Sequence, residues 1–212
     1  MPAEDNYSKV SSTINLLSTN TKLVLVSKNQ SMSVISSLIK AGHKDFGENR
    51  VQEAVSKWSP EILNNYQIKL HLIGKLQSNK AKDAFRIFDY IHTLDNEKLA
   101  QIFAKLENDS DKKINYFVQV NVANEPQKSG ISIDKVHQFT KYCMNDLKLN
   151  IIGLMCIPPV EGDPTQYFIN LAQIAKINSL KELSMGMSND YECAIKNGAT
   201  FVRIGSKIFS SD

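Results

Sequence analysis

Apolar residues recur along this chain in two alternating rhythms. Short runs with successive apolar positions, such as Leu23-Val24-Leu25-Val26, are separated by stretches whose apolar residues lie three and four apart. The first kind reads as strands buried on both faces and the second as amphipathic helices. Strands are predicted at 22–27, 43–46, 70–73, 88–92, 115–121, 151–157, 182–185 and 201–204. A helix is predicted over 6–18, where Val10, Ile14 and Leu17 share a face. Further helices are predicted near 31–41, 49–57, 79–84, 96–107, 133–145, 165–178 and 189–196. Eight strands alternating with helices call for a parallel sheet, and eight is the number that closes a (β/α)₈ barrel. The predicted fold class is therefore α/β, a TIM barrel with an N-terminal helix, in a single domain over residues 1–212. A doubly wound open sheet would place a phosphate loop after the first strand. No GxGxxG or GxxxxGK[ST] stands there or elsewhere; small-residue turns follow the seventh and eighth strands instead, where barrels commonly carry phosphate sites.

Composition changes this picture little. Hydrophobic residues make up 42% of the chain and charged residues 22%, enough for a sizeable core. The formal net charge of +3 is spread among interleaved acids and bases, which argues against a nucleic-acid partner. The acidic N-terminus has neither the basic nor the apolar region of a targeting signal, and no apolar stretch reaches the ~18 residues of a membrane span. The cysteines, Cys143, Cys156 and Cys193, are odd in number and far apart, as expected of free thiols in the cytoplasm. No HxxH, CxxC or HExxH pairing suggests a metal.

Candidate chemistry gathers in three places. Leu183-Ser184-Met185-Gly186-Met187-Ser188-Asn189-Asp190 and Phe201-Val202-Arg203-Ile204-Gly205-Ser206 each read as a short strand opening into a small-residue turn. Such turns let backbone N–H groups approach an anion closely, so the pair suggests a phosphate site. Arg203 is a fixed charge inside an apolar strand and needs a partner there. On strand parity it points with Gly205 towards one cavity. Lys28 closes the first strand; a lysine partly covered at the barrel mouth would be a nucleophile towards an aldehyde. Together these residues suggest an anionic carbonyl cofactor. Each has a plainer reading. Lys28 could be solvated, Ser188 and Ser206 could cap the following helices, Asn49 could cap the helix at 50–57, and Met187 could be core. His71 reads as a hydrogen-bonded core histidine, and Met155 and Cys156 as core. Gln119 points into the barrel or the cavity. The polar residues Lys75, Gln77, Asn79 and Lys80 could guard the mouth or bind an anion.

The segments Leu25–Lys28 (LVSK), 46–53 (FGENRVQE), 71–80 (HLIGKLQSNK), 119–130 (QVNVANEPQKSG), 153–159 (GLMCIPP), and LSMGMSNDYECAI with VRIGS between 183 and 206 resemble the pyridoxal phosphate homeostasis proteins. These are small fold-type III binders of pyridoxal 5'-phosphate (PLP), related to the N-terminal barrel of alanine racemase. The resemblance runs through nearly the whole chain in the family's order. It implies that Lys28 holds PLP as a Schiff base, that Ser188, Gly205 and Ser206 contact the phosphate, and that Arg203 faces the pyridine nitrogen. It favours Asn49 as a ligand near the ring hydroxyl and places Met187 at the ring edge or phosphate end. Two departures stand out. Asn29-Gln30-Ser31 lacks the proline that often follows the lysine, and the tail at Ile208-Phe209-Ser210 lacks the family's glycine.

Three functions are open on these residues: a non-catalytic PLP carrier in vitamin B6 homeostasis, an amino-acid racemase, and a Schiff-base aldolase. The racemases of this barrel take a second base from an added C-terminal β-domain, and the sequence ends soon after the eighth strand, so the carrier is expected. An arginine-bound ring nitrogen stays unprotonated and makes the ring a weak electron sink. Only Glu48 offers an acid at a strand end near Lys28, which disfavours the aldolase. The expected partners are PLP and PLP-dependent apo-enzymes as recipients, with no membrane partner, and the expected state is a monomer.

Overall fold

The computed structural model describes residues 2–210. Its strands are β1 (Lys22–Val26), β2 (Asp45–Glu48), β3 (Lys69–Leu72), β4 (Tyr90–Leu94), β5 (Asn115–Asn121), β6 (Ile131–Ser132), β7 (Ile151–Met155), β8 (Glu182–Ser184) and β9 (Phe201–Ile204). Every pairing is parallel. The ring runs β1-β2-β3-β4-β5-β7-β8-β9 and returns to β1, while the two-residue β6 pairs only with β5. This is the eight-stranded barrel predicted from the alternation; the ends of the 1–212 domain reading, Met1 and Ser211–Asp212, lie outside the described residues.

The helices are α1 (Pro2–Leu17), α2 (Met32–Lys40), α3 (Val51–Lys57), α4 (Pro60–Tyr66), α5 (Ala81–Ile87), α6 (Glu97–Asn108), α7 (Val136–Lys141), α8 (Thr165–Ile177), α9 (Tyr191–Lys196) and α10 (Ser206–Phe209). Those around the barrel turn an apolar stripe onto the strands. In α2 the buried residues are Ile35, Leu38 and Ile39, and in α8 Phe168, Leu171 and Ala175. This is the three-and-four spacing of one helix face. Asn96 starts α6, its side-chain oxygen accepting the Leu99 N–H at 3.0 Å. α1 lies against α2, α9 and α10, with Val10 and Ile14 buried.

Several elements depart from the prediction, β4 among them, which begins and ends two residues later than 88–92. α4 was not predicted, although Ser59 caps it, accepting the Ile62 N–H at 3.4 Å, and Pro60 follows at the first helical position. β2 begins and ends two residues later than 43–46, because Gly47 and Glu48 continue the strand. Glu48 is tolerated there because it is fully buried among donors: Ser27 Oγ at 2.7 Å, Lys57 Nζ at 3.0 Å and Trp58 Nε1 at 3.1 Å. The helix predicted over 133–145 is a 3₁₀ turn, α7 and a π-helical turn in succession.

Candidate functional site

At the C-terminal end of the barrel lies a cavity of about 460 Å³. Lys28, Asn49, Met187, Ser188, Arg203, Gly205 and Ser206 all line it, so the seven residues expected to hold the cofactor converge on one space. Pro158, Pro159 and Val160, from the loop after β7, form its other wall.

Neither turn supplies a side-chain cap to the helix that follows it. Gly186 adopts φ +93°, and a Cβ there would stand 2.6 Å from the Ala194 Cβ, so only glycine fits this turn. α9 is preceded by Asp190 and α10 by Gly205, neither with a side-chain cap. The Ser188 hydroxyl instead accepts the Lys207 N–H at 3.4 Å and ties one turn to the other. Asp190 Oδ1 takes the Met187 N–H. The N–H groups of Ser188, Gly205 and Ser206 meet no acceptor among the described residues. A Cβ on Gly205 would meet the Val26 Cβ and carbonyl oxygen at 3.0 Å, so this glycine also permits close packing of β9 against β1.

Lys28 stands two residues beyond β1 and is exposed, which corrects the expectation of a partly covered amine. What is fixed is the turn around it, which follows the fully buried Ser27. Lys57 Nζ donates to the Ser27 carbonyl at 2.7 Å, to Glu48 Oε1 at 3.0 Å and to Glu53 Oε1 at 2.8 Å. Glu53 Oε1 also accepts the Asn29 N–H at 2.6 Å, where Asn29 takes φ +60°. This clamp fixes the turn that carries Lys28. Asn49 is half-buried and does not cap α3, whose first flanking residue is Arg50. Met187 is 37% exposed, so it is a wall of the cavity and not core.

Arg203 is 4% exposed. Its partners are neutral: Ser184 Oγ accepts from Nη1 at 2.6 Å and the Cys156 carbonyl from Nη2 at 2.9 Å. Burial draws its pKa below the ordinary value, yet guanidinium stays charged in proteins. The cavity floor thus carries a desolvated positive charge with further N–H groups to donate. Burial pushes the neighbouring Cys156 thiol up to about 12, so it is inert at neutral pH. Met155 belongs to the barrel interior with Val24, Phe117 and Phe201, as expected.

Gln119 is buried, donating to the Ser129 carbonyl at 3.3 Å. With Lys75 it lines a separate hollow of about 310 Å³ that shares Asn49, Ile73 and Ile157 with the first. Among the described residues no cluster of three or more His, Cys, Asp or Glu could hold a metal. No described helix is long and apolar enough to cross a membrane. Two site-adjacent residues escaped the sequence reading, Ser184 and His92. Their partners are supplied by strands far away in sequence.

The comparisons agree with this geometry. The family model described as the alanine racemase N-terminal domain matches residues 3–211. A pyridoxal phosphate homeostasis protein of Haemophilus influenzae is 36% identical over 200 residues, covering 90% of this chain and 84% of that protein. PipY of Synechococcus elongatus, solved without PLP, superposes with a TM-score of 0.86 at 30% identity, over 99% of this chain and all of that one. PipY solved with PLP bound superposes with a TM-score of 0.84 at 29% identity, with the same coverage. Cavity, barrel and sequence lead to one conclusion: the chain belongs to the pyridoxal phosphate homeostasis protein family.

Proposed function

We propose that this protein binds PLP at the C-terminal cavity and serves as an intracellular carrier or buffer of that cofactor, without robust catalysis of its own. The observation that carries the reading is the convergence on one cavity of an exposed lysine, a buried arginine and two turns with unused N–H donors. The volume suits a small cofactor. When bound, PLP supplies an aldehyde, an electron-withdrawing ring and a phosphate dianion. Lys28 would supply the amine that holds the aldehyde carbon covalently, with release of water. The N–H groups of Ser188, Gly205 and Ser206, with the hydroxyls of the two serines, donate to the phosphate. Arg203 would donate to the ring nitrogen and, having no proton to release at neutral pH, would keep that nitrogen unprotonated. Asn49 would serve the ring hydroxyl, and Met187 the ring edge.

Support for a carrier over a racemase comes from the lining itself. Among the described residues that line the cavity, the ionisable groups are Lys28, Asp190 and Arg203. No histidine or tyrosine stands there to serve as a second base. The aldolase reading finds no help from Glu48, which is completely buried with its Oε1 engaged by Ser27, Lys57 and Trp58 and does not line the cavity. A cytoplasmic location and a monomeric state are part of the same proposal, as is delivery to PLP-dependent apo-enzymes. The unpaired Cys143, Cys156 and Cys193 support the location.

The test is covalent labelling. PLP-loaded protein reduced with borohydride should carry a phosphopyridoxyl group on the peptide containing Lys28, and Lys28→Ala should lose the visible band. A label on another lysine, or a protein that stays colourless with excess PLP, would overturn the assignment.

A further inference from the structure

Behind Arg203, a chain of hydrogen bonds crosses the barrel from the cavity to the opposite end. Arg203 Nη1 lies 2.6 Å from Ser184 Oγ, and Ser184 Oγ lies 2.7 Å from His92 Nδ1. His92 Nε2 lies 3.0 Å from His71 Nδ1, and His71 Nε2 lies 3.0 Å from Asp45 Oδ1. Ser184, His92 and His71 are completely buried, and they come from β8, β4 and β3. Asp45 opens β2, at the end of the barrel away from the cavity.

The direction of every bond follows from the two ends. Guanidinium has donors only, so Ser184 Oγ accepts from Arg203. An ionised carboxylate only accepts, so His71 Nε2 donates to Asp45. Burial raises the Asp45 pKa, but the His71 hydrogen bond and nearby positive groups outweigh it, so the group stays ionised at neutral pH. Burial lowers the pKa of His71 and, further, that of His92, so both rings are neutral. A neutral imidazole has one N–H. His71 Nδ1 must then accept from His92 Nε2, and His92 Nδ1 must accept from the Ser184 hydroxyl. Both rings hold the same tautomer, and the donors run unbroken: Ser184 to His92 to His71 to Asp45. The flanking rings leave little freedom to turn. His71 stacks on Tyr90 with centroids 4.2 Å apart, and His92 on Phe117 at 4.4 Å.

We propose that Ser184, His92, His71 and Asp45 are positioning residues for Arg203, a tautomer-fixed relay that holds its Nη1 edge in the barrel and turns its remaining N–H groups to the cofactor ring. The idea rests on the PLP reading for its consequence, though not for its geometry. A completely buried polar chain is costly unless every member is satisfied, and here each has its partner. Were Ser184 unable to accept, the guanidinium would lose one of the two contacts that fix its plane, leaving the Cys156 carbonyl alone.

Two measurements test the relay. In ¹⁵N-histidine-labelled protein without cofactor, two-bond ¹⁵N–¹H correlation at pH 7.5 should show His71 and His92 neutral with the proton on Nε2. An imidazolium, or an Nδ1–H tautomer at either ring, would overturn the order of donors. In PLP-loaded protein, Ser184→Ala should move the pH midpoint of the visible band by about one unit, in the direction given by Arg203→Gln. Ser184→Thr, which restores the hydroxyl, should keep the parental midpoint, and inorganic phosphate should compete equally with all three variants. A Ser184→Ala midpoint equal to the parent's would show that the relay only fills the barrel. Should Ser184→Ala fail to fold, the histidine tautomers of the parent still decide. A parent that takes up no PLP defeats the cofactor reading alone.

Discussion

The barrel wall separates two interiors of opposite character. Outside it, between strands and helices, lies a continuous apolar layer in which Ile35, Leu38, Phe46, Leu70, Phe103 and Phe168 are completely or almost completely buried. Inside it, a small buried apolar cluster of Val24, Phe117, Met155 and Phe201, with Ile73, Tyr90 and Ile152 partly buried against it, shares the space with the buried polar residues His71, His92, Ser184 and Arg203. Barrels of this kind usually fill the inside with layers of branched aliphatic side chains. The outer layer stabilises without specifying chemistry. The inner column specifies directions of hydrogen bonds and gives up apolar burial to do so. Stability and function are thus divided between the two faces of the same strands, whose side chains alternate in and out.

The sharpest way to break that division is to damage each side separately. Phe103→Ala removes a fully buried ring that lies 5.3 Å, centroid to centroid, from Tyr116 in the outer layer. It should cost about 3–5 kcal/mol in denaturant unfolding. The visible absorption of bound PLP should not change in the fraction that remains folded. His92→Leu conserves much of the volume but leaves the Ser184 O–H without an acceptor and His71 Nδ1 without a donor. Each such orphan costs roughly 1–3 kcal/mol, partly offset by burying the leucine, so a net loss of about 2 kcal/mol is expected. Here the absorption should shift. A His92→Leu protein with both parental stability and parental spectrum would erase the distinction between the two interiors.

Acid should weaken the molecule from the histidines. His71, His92 and His43 have pKa values lowered chiefly by burial, and an unfolded chain titrates near the ordinary ~6.5. Below that pH the unfolded state binds protons that the folded state refuses, so unfolding becomes easier as pH falls. Above about pH 7 this source adds no slope. Each histidine contributes up to about 1.4 kcal/mol per pH unit while only its unfolded form is protonated. Urea midpoints at pH 5 and pH 7 should therefore differ less in His92→Leu than in the parent. An equal difference would mean that His92 titrates normally.

The outer layer was legible in the sequence because one-dimensional periodicity reports it directly. Leu23 and Leu25, or Ile35, Leu38 and Ile39, announce their face by spacing alone. The cavity was legible too, because its residues follow strand ends in local motifs such as Gly186-Met187-Ser188 and Gly205-Ser206. The relay was not. Ser184 and His92 lie 92 residues apart, and only barrel closure brings β4 opposite β8. His92 also sat at the last position of a strand placed two residues too early, where Phe88 was counted as strand although it ends α5. His71 was rightly assigned to the core, but nothing local named its partners. α4 went unpredicted despite a readable signal, Ser59 followed by Pro60.

The smallest effect should come from Ser206→Ala, which probes the cavity without touching either interior. Ser206 is exposed, and its hydroxyl has no partner among the described residues, so unfolding free energy should move by less than about 0.5 kcal/mol. The N–H groups of Gly205 and Ser206 survive the substitution. Only one hydroxyl donor to a dianion is lost, worth about 1.5 kcal/mol at the lower end for a charged acceptor, or roughly tenfold in PLP affinity. Pyridoxal, which lacks the phosphate, should bind parent and variant alike, and at least about a hundredfold more weakly than PLP. Gly205→Val makes a poor substitute for this test, because its side chain would press on Val26 and disturb the β1–β9 seam before it met a phosphate. Measured side by side, PLP and pyridoxal affinities of parent and Ser206→Ala decide whether the turns hold the phosphate. Equal affinity for the two ligands in the parent would place the cofactor elsewhere.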